Sequence, residues 1–368
     1  MKKIISLLLA LSLVLSLAAC GGTQKQIDSG DAPEATVLEM PTEEPATAPK
    51  AEPGSAGNLF LTVSSITFSL VGEQEDIYLG LVPRELVTWE SEDPSVVSVE
   101  NGVLTANGVG TTTVRASYDD RQVSCTAGCL AETQEALDSL DPELLCAPKR
   151  LPPEVDLEAP CTYFDNAAIV GDSITFILFQ HESKSNYLGD MLFLAKGGVS
   201  MNGFVRRYKN ISYKGQPMNL EDAIAQSGVQ RVYFLMGSND IAEPSQRASF
   251  FDNWDTMLER IRAQSPDVEI VMISNLPQYD ASMRPQLKNG NIETYNARMV
   301  EYNEKLKTYA GENGCLYLDL SRYVQDHYGR MPKLYSQDSY HLNEAGCVNW
   351  MKVLRFYAQY ESEGGTLS

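Results

Sequence analysis

Histidine is scarce: 368 residues carry only three, His181, His327 and His341. None stands at a metal-ligand spacing from a cysteine, so no structural zinc site is expected, and no cofactor. Positive charge is the second shortage. Lys and Arg number 29 against 49 Asp and Glu, a formal net charge of −20. Nucleic-acid binding rests on basic side chains that neutralise phosphates, and electrostatic docking on anionic lipid needs the same sign. This chain is suited to neither. Its apolar run Ile4 to Ala19 has sixteen residues, short of the roughly 20 that cross a bilayer as a helix.

That run suits the apolar region of an export signal, behind the positive Lys2 and Lys3. It ends in Leu17-Ala18-Ala19-Cys20, followed by Gly21-Gly22. This resembles the lipobox of bacterial lipoproteins, which implies acylation of Cys20 as the new N-terminus and a membrane anchor at the outer face. An ordinary cleaved signal with an incidental cysteine is the alternative. Removing residues 1–19 takes Lys2 and Lys3 with it and moves the net charge to −22. Six cysteines would remain: Cys125, Cys129, Cys146, Cys161, Cys315 and Cys347. An even number in an exported chain permits disulfides, but six cysteines allow 15 pairings and the sequence does not choose.

Residues 20–57 hold five prolines among Ala, Glu, Thr and Gly, with few large apolar residues, and read as a disordered acidic tether. Residues 58–129 change to β-branched residues with turn punctuation, including Ser95-Val96-Val97-Ser98-Val99, Asn101-Gly102 and Thr112-Thr113-Val114. Short, closely spaced strands predict a small all-β sandwich. The stretch from Val87-Thr88-Trp89 through Asn101-Gly102-Val103-Leu104 to Gly110-Thr111-Thr112 resembles the bacterial group 2 immunoglobulin-like domain, which implies a spacer or a carbohydrate-adhering module. Nothing in it marks a binding face, which favours the spacer. Residues 130–162 form a connector.

From 163 to 362 strand and helix patterns alternate. Ala167 to Val170, Val232 to Leu235, Ile270 to Ile273 and Leu316 to Leu318 are unbroken apolar runs, the mark of strands covered on both faces. Helical patterns lie at 246–264 and 294–310, and a last helix from Glu344 to about Tyr360 has Asn343 as its cap. The alternation predicts an α/β fold, a parallel sheet between helical layers, with reactive groups at the carboxyl ends of its strands.

At one such end stands Gly171-Asp172-Ser173-Ile174, which by itself also describes a capped strand-to-helix turn. A serine there needs a base. His341 follows Asp338 by three residues, an offset at which carboxylate and imidazole can bond, and neither His181 nor His327 has an acid at that offset. Those two read as surface or structural residues. Met236-Gly237-Ser238-Asn239-Asp240 ends another strand, where the Asn239 amide can serve a developing oxyanion, or simply a turn. Gly197-Gly198-Val199-Ser200 offers a backbone N–H without an obstructing side chain, or is simply a turn.

Together, Gly171-Asp172-Ser173, a central glycine, Gly237-Ser238-Asn239-Asp240 and Asp338-Ser339-Tyr340-His341 resemble, in this order, the SGNH/GDSL hydrolases. The resemblance implies a flavodoxin-like three-layer fold, Ser173 as nucleophile, His341 as general base and Asp338 as its orienter. It also implies an oxyanion hole of Asn239, the Ser173 N–H and a glycine N–H. The family's Gly-x-Ser-Gly pattern is broken here by Met201, so the third donor is Gly198 or the Met201 backbone. The expected activity is hydrolysis of short acyl esters, O-acetyl foremost, on a glycan or small ester substrate. An O-acyltransferase using the same triad and a non-catalytic glycan-binding adhesin are the alternatives.

Overall fold

The computed structural model describes residues 27–28, 59–206, 209, 211–279 and 292–362. The export-signal run, Cys20 and all of the proposed tether except Ile27–Asp28 lie outside the described residues.

The C-terminal half is built on one parallel sheet. Its central strand Ala167–Gly171 pairs with Leu192–Ala195 on one side and Arg231–Leu235 on the other. Glu269–Ile273 and then Leu316–Leu318 continue the sheet outward, and the two-residue strand Ile27–Asp28 adds at the opposite edge, beside Leu192–Ala195. Counted along this half of the chain, the spatial order is second, first, third, fourth, fifth, the flavodoxin-like winding. The apolar runs are continuous because alternate residues bury into different layers. Ile169, Tyr233 and Val271 join Leu178, Trp350 and Leu354 of the helices Ser173–Ser185 and Glu344–Ser362. Ala168, Val170, Val232 and Phe234 join Trp254, Met257, Met299 and Leu306 of the helices Phe250–Gln264 and Ile292–Glu312. The winding reverses beside the central strand, so the crevice at its carboxyl end is where a ligand fits.

Residues 59–131 hold two further sheets around one core of Val63, Ile66, Phe68, Ile77, Leu104 and Val114. Asn101 and Gly102 both take positive φ, at 47° and 78°, which lets the strands Val97–Glu100 and Val103–Ala106 close in a tight hairpin. The 130–162 connector carries a helix at Gln134–Asp138, and then Arg150–Leu151 returns to pair antiparallel with Ser65–Leu70.

This β unit packs directly on the α/β half. Phe60 sets its edge on Phe356, with ring centroids 5.3 Å apart. Tyr323 donates its hydroxyl to the Thr62 carbonyl at 3.1 Å, and Glu75 accepts from both Arg150 and Arg322. Among the described residues, Cys125, Cys129, Cys146, Cys161 and Cys347 stand as free thiols. Cys125 and Cys129 share the strand Arg121–Ala131 and are both buried. Four residues along a strand separate them by about 13 Å, beyond the roughly 7 Å that a disulfide tolerates.

Candidate active site

The central strand ends at Gly171 because nothing larger fits there. A Cβ at this position would lie 1.9 Å from Thr175 Oγ1 and 2.9 Å from the Leu235 carbonyl oxygen. The chain then turns through Asp172, which caps the next helix by accepting the Ile174 N–H at 2.9 Å. Ser173 is the first residue of that helix, so its N–H belongs to the first-turn donors that have no partner inside the helix.

Across the crevice, Ser173 Oγ lies 2.9 Å from His341 Nε2, and His341 Nδ1 lies 2.7 Å from Asp338 Oδ2. Asp338 also accepts the backbone N–H of His341 at 2.9 Å and of Tyr340 at 3.1 Å. The three residues expected from the sequence therefore form one line of hydrogen bonds. The local conformation that achieves this is a bent loop rather than a helical turn. Ser339, buried between the acid and the histidine, takes φ 72°, a left-handed conformation that is strained for a residue with a Cβ. Its carbonyl accepts the Tyr279 N–H at 3.0 Å and its N–H donates to Ser336 Oγ at 3.0 Å. Partial burial raises the Asp338 pKa, but the hydrogen bonds from the His341 ring and from the two N–H groups outweigh it. The carboxyl stays below the ordinary aspartate range. A hydroxyl bonded to an imidazole that is itself oriented by an ionised carboxylate can attack an acyl carbon and pass its proton to the ring.

The oxyanion donors are placed less simply. Gly198 has φ 74°, is exposed, and has open space where a Cβ would stand. The Met201 N–H, the other candidate, is engaged: both carboxyl oxygens of Asp240 accept it at 3.1 Å. Asn239 lies beside the nucleophile turn, but its amide donates to the Val199 carbonyl at 2.6 Å and to Asp172 Oδ2 at 3.0 Å. Both partners of the Asn239 amide are thus groups of the protein itself. A carboxyl and a carbonyl are nearby acceptors, and an amide in a partly buried site turns toward them. Asn239 can meet an oxyanion only by exchanging one of these bonds.

The acids of the two motifs were missed as functional residues. Asp172 is 1% exposed and Asp240 0%. Burial raises the Asp172 pKa, which the Ser238 hydroxyl and the Ile174 N–H oppose. Burial pushes Asp240 up to about 8, with the Met201 N–H opposing and the Asp172 charge adding to the rise. An acid beside a reacting residue in both Gly171-Asp172-Ser173 and Ser238-Asn239-Asp240 was the signal available in the sequence. His181 is half-buried on the helix Ser173–Ser185. His327 bonds Ser69 Oγ through Nδ1 at 3.0 Å, between the β unit and the α/β half.

Residues 169–347 match the model of the GDSL-like Lipase/Acylhydrolase family. They form a GDSL-like lipase/acylhydrolase domain. The chain is accordingly a carboxylic ester hydrolase. Among solved structures, an assigned acylhydrolase from Bacteroides fragilis is 19% identical, covering 57% of this chain and 99% of that one with a TM-score of 0.41. A GDSL-like lipase from Bacteroides thetaiotaomicron is 16% identical, with coverage of 55% and 91% and a TM-score of 0.42. The catalytic domain of a Streptococcus pneumoniae peptidoglycan O-acetyltransferase is 14% identical, with coverage of 54% and 93% and a TM-score of 0.34. No curated protein matches the chain.

Proposed function

We propose that this GDSL-like esterase is lipid-anchored through Cys20 at the outer face of a bacterial membrane and removes short acyl groups, O-acetyl foremost, from glycans. Ser173 is the nucleophile, His341 the general base and Asp338 its orienting carboxylate. The observation that carries the reading is the unbroken line Asp338–His341–Ser173, at 2.7 and 2.9 Å.

Ser173 Oγ attacks the ester carbonyl carbon and its proton moves to His341 Nε2. The Ser173 and Gly198 N–H groups meet the negative charge that develops on the carbonyl oxygen. The sugar hydroxyl then leaves with the Nε2 proton, and the acyl group remains on Ser173. Water loses a proton to the same nitrogen, attacks the acyl-serine and releases the carboxylic acid. The exposure of Gly197 and Gly198 beside the nucleophile supports an ester carried on a bulky scaffold such as a polymer. The outward tether read from the sequence supports a surface substrate. In this reading the β unit, through its resemblance to bacterial group 2 immunoglobulin-like domains, is a spacer.

The test is hydrolysis of p-nitrophenyl acetate and its longer-chain homologues by residues 58–368, beside Ser173→Ala and His341→Ala. Activity that falls with chain length and is lost in both variants supports the proposal. Strong cleavage of long-chain esters with none of acetyl esters overturns the short-acyl reading. A folded parent that releases p-nitrophenol only when a sugar acceptor is added, with the acetyl group carried onto the sugar, points to acyl transfer. One that binds glycan without cleaving any ester points to an adhesin.

A further inference from the structure

An oxyanion hole works only if its donors hold still, and here they stand on separate segments. The Ser173 N–H is fixed by the start of a thirteen-residue helix. The Gly198 N–H lies on the loop Gly197–Ser200, where Val199 is buried in the core but both glycines are exposed with open space around them. That loop is fastened from outside by two consecutive residues. Asn239 holds its Val199 carbonyl at 2.6 Å, and Asp240 takes the Met201 N–H at 3.1 Å on each oxygen. Asp240 is wholly buried, and no cation pairs with it among the described residues. A buried carboxyl without a counter-charge is costly, so an apolar residue of similar size would serve the fold better unless the hydrogen bond itself matters.

We propose that Asp240 is a positioning residue for ester cleavage: by holding the Met201 N–H it sets where the Gly198 N–H stands, and so shapes the oxyanion hole. The inference rests on the reading of Ser173 as nucleophile. Asp240 acts only through the loop and touches no reacting atom. Its effect therefore falls on the transition state, where the oxyanion forms, and not on substrate binding.

The test measures kcat and KM on p-nitrophenyl acetate, per serine titrated by a phosphonate ester, so that unfolded protein does not count. D240L removes the acceptor; loss or misplacement of one oxyanion donor lowers kcat by about 10²-fold, and KM is expected to move less than about twofold. D240N keeps one side-chain oxygen for the Met201 N–H and is expected to recover at least about tenfold of that loss. M201P deletes the same bond from its other end. Met201 is the first residue of its helix, where proline is accepted, and Ser200 before it has φ −120° and ψ 167°, as a following proline requires. This variant carries the test if D240L does not fold. The double variant D240L/M201P is expected to be no slower than the slower single one. The proposal is overturned if D240L or M201P keeps the parental kcat per titrated serine, or if D240N is as slow as D240L. A parent that neither cleaves esters nor takes up the phosphonate overturns the nucleophile reading instead.

Discussion

Replacing Asp338 by asparagine tests how much of the reaction depends on the charge behind His341. In the cleavage step the ring becomes an imidazolium, and the Asp338 carboxylate 2.7 Å from Nδ1 stabilises it. Two unit charges about 4 Å apart attract by about 4 kcal/mol at the effective dielectric of a protein surface. Asp338 is 45% exposed and His341 16%, so solvent screening leaves about half of that, roughly 2 kcal/mol. Asparagine adds a second penalty. An amide NH₂ facing Nδ1 favours the tautomer with its proton on Nε2, which cannot accept from Ser173. Allowing about 1–2 kcal/mol for this, the barrier rises by about 3–4 kcal/mol and kcat falls by roughly 10² to 10³-fold. That is less than the ~10⁴-fold seen where the triad acid is buried. The assay is kcat on p-nitrophenyl acetate near neutral pH, normalised to titrated serine. A loss under fivefold would falsify the orienting role of Asp338. A loss down to the Ser173→Ala background would show that the screening argument is wrong.

Three further outcomes are expected. Gly198→Ala places a Cβ in open space but forces alanine to φ 74°, a strain of about 1–2 kcal/mol; the loop relieves it by moving the N–H, so kcat should drop about tenfold or more with KM little changed, and an unaltered kcat would remove Gly198 from the oxyanion hole. His327, half-buried between the two units, has its pKa pulled down to about 4 by burial and, secondarily, by Lys149, against the pull of Glu73. A lowered histidine pKa gives stability that is complete above the unfolded value near 6.5 and is lost as pH falls toward 4, so His327→Gln should flatten the acid limb of stability measured by urea unfolding between those pH values, and an unchanged limb would refute it. Phe60→Ala removes a half-buried ring from Phe356 and Tyr360; at about 2 kcal/mol it should lower Tm by about 4–8 °C in a single calorimetric transition, whereas two separate transitions would mean that the units unfold independently.

The α/β half was legible because a doubly covered strand leaves an unbroken apolar run. Ala167 to Val170, Val232 to Leu235, Ile270 to Ile273 and Leu316 to Leu318 each became a strand of the sheet. Helix ends were less exact. The 246–264 pattern divides into Pro244–Arg247 and Phe250–Gln264, since apolar periodicity continues across a break that only the backbone shows. The docking of the β unit was not legible at all. Phe60 meets Phe356 and Glu75 meets Arg322 across well over two hundred residues, and no local period or spacing records such a contact.

The site divides along the same physical line. Ser173, His341 and Asp338 could be found because a serine at a strand end and a histidine three residues after an aspartate are chemically distinctive types at telling positions. Asp172 and Asp240 could not, because an acid in a sequence reads as solvated and only packing reveals it as buried. Burial is also what gives them their use. A water-exposed carboxylate exchanges partners freely, whereas one sealed from solvent keeps its few hydrogen bonds, because the desolvation it has suffered makes each of them worth more. Asp172 spends these on the Ile174 N–H, the Ser238 hydroxyl and the Asn239 amide, and Asp240 on the Met201 N–H. The Ile174 contact caps the helix Ser173–Ser185, and the others tie Asp172 and Met201 to the segment Ser238–Ala242 that carries Ser238, Asn239 and Asp240. In the proposed reading these two acids frame the backbone N–H groups of the oxyanion hole, and since burial pushes Asp240 up to about 8, that frame should hold best at a pH low enough to keep Asp240 largely protonated.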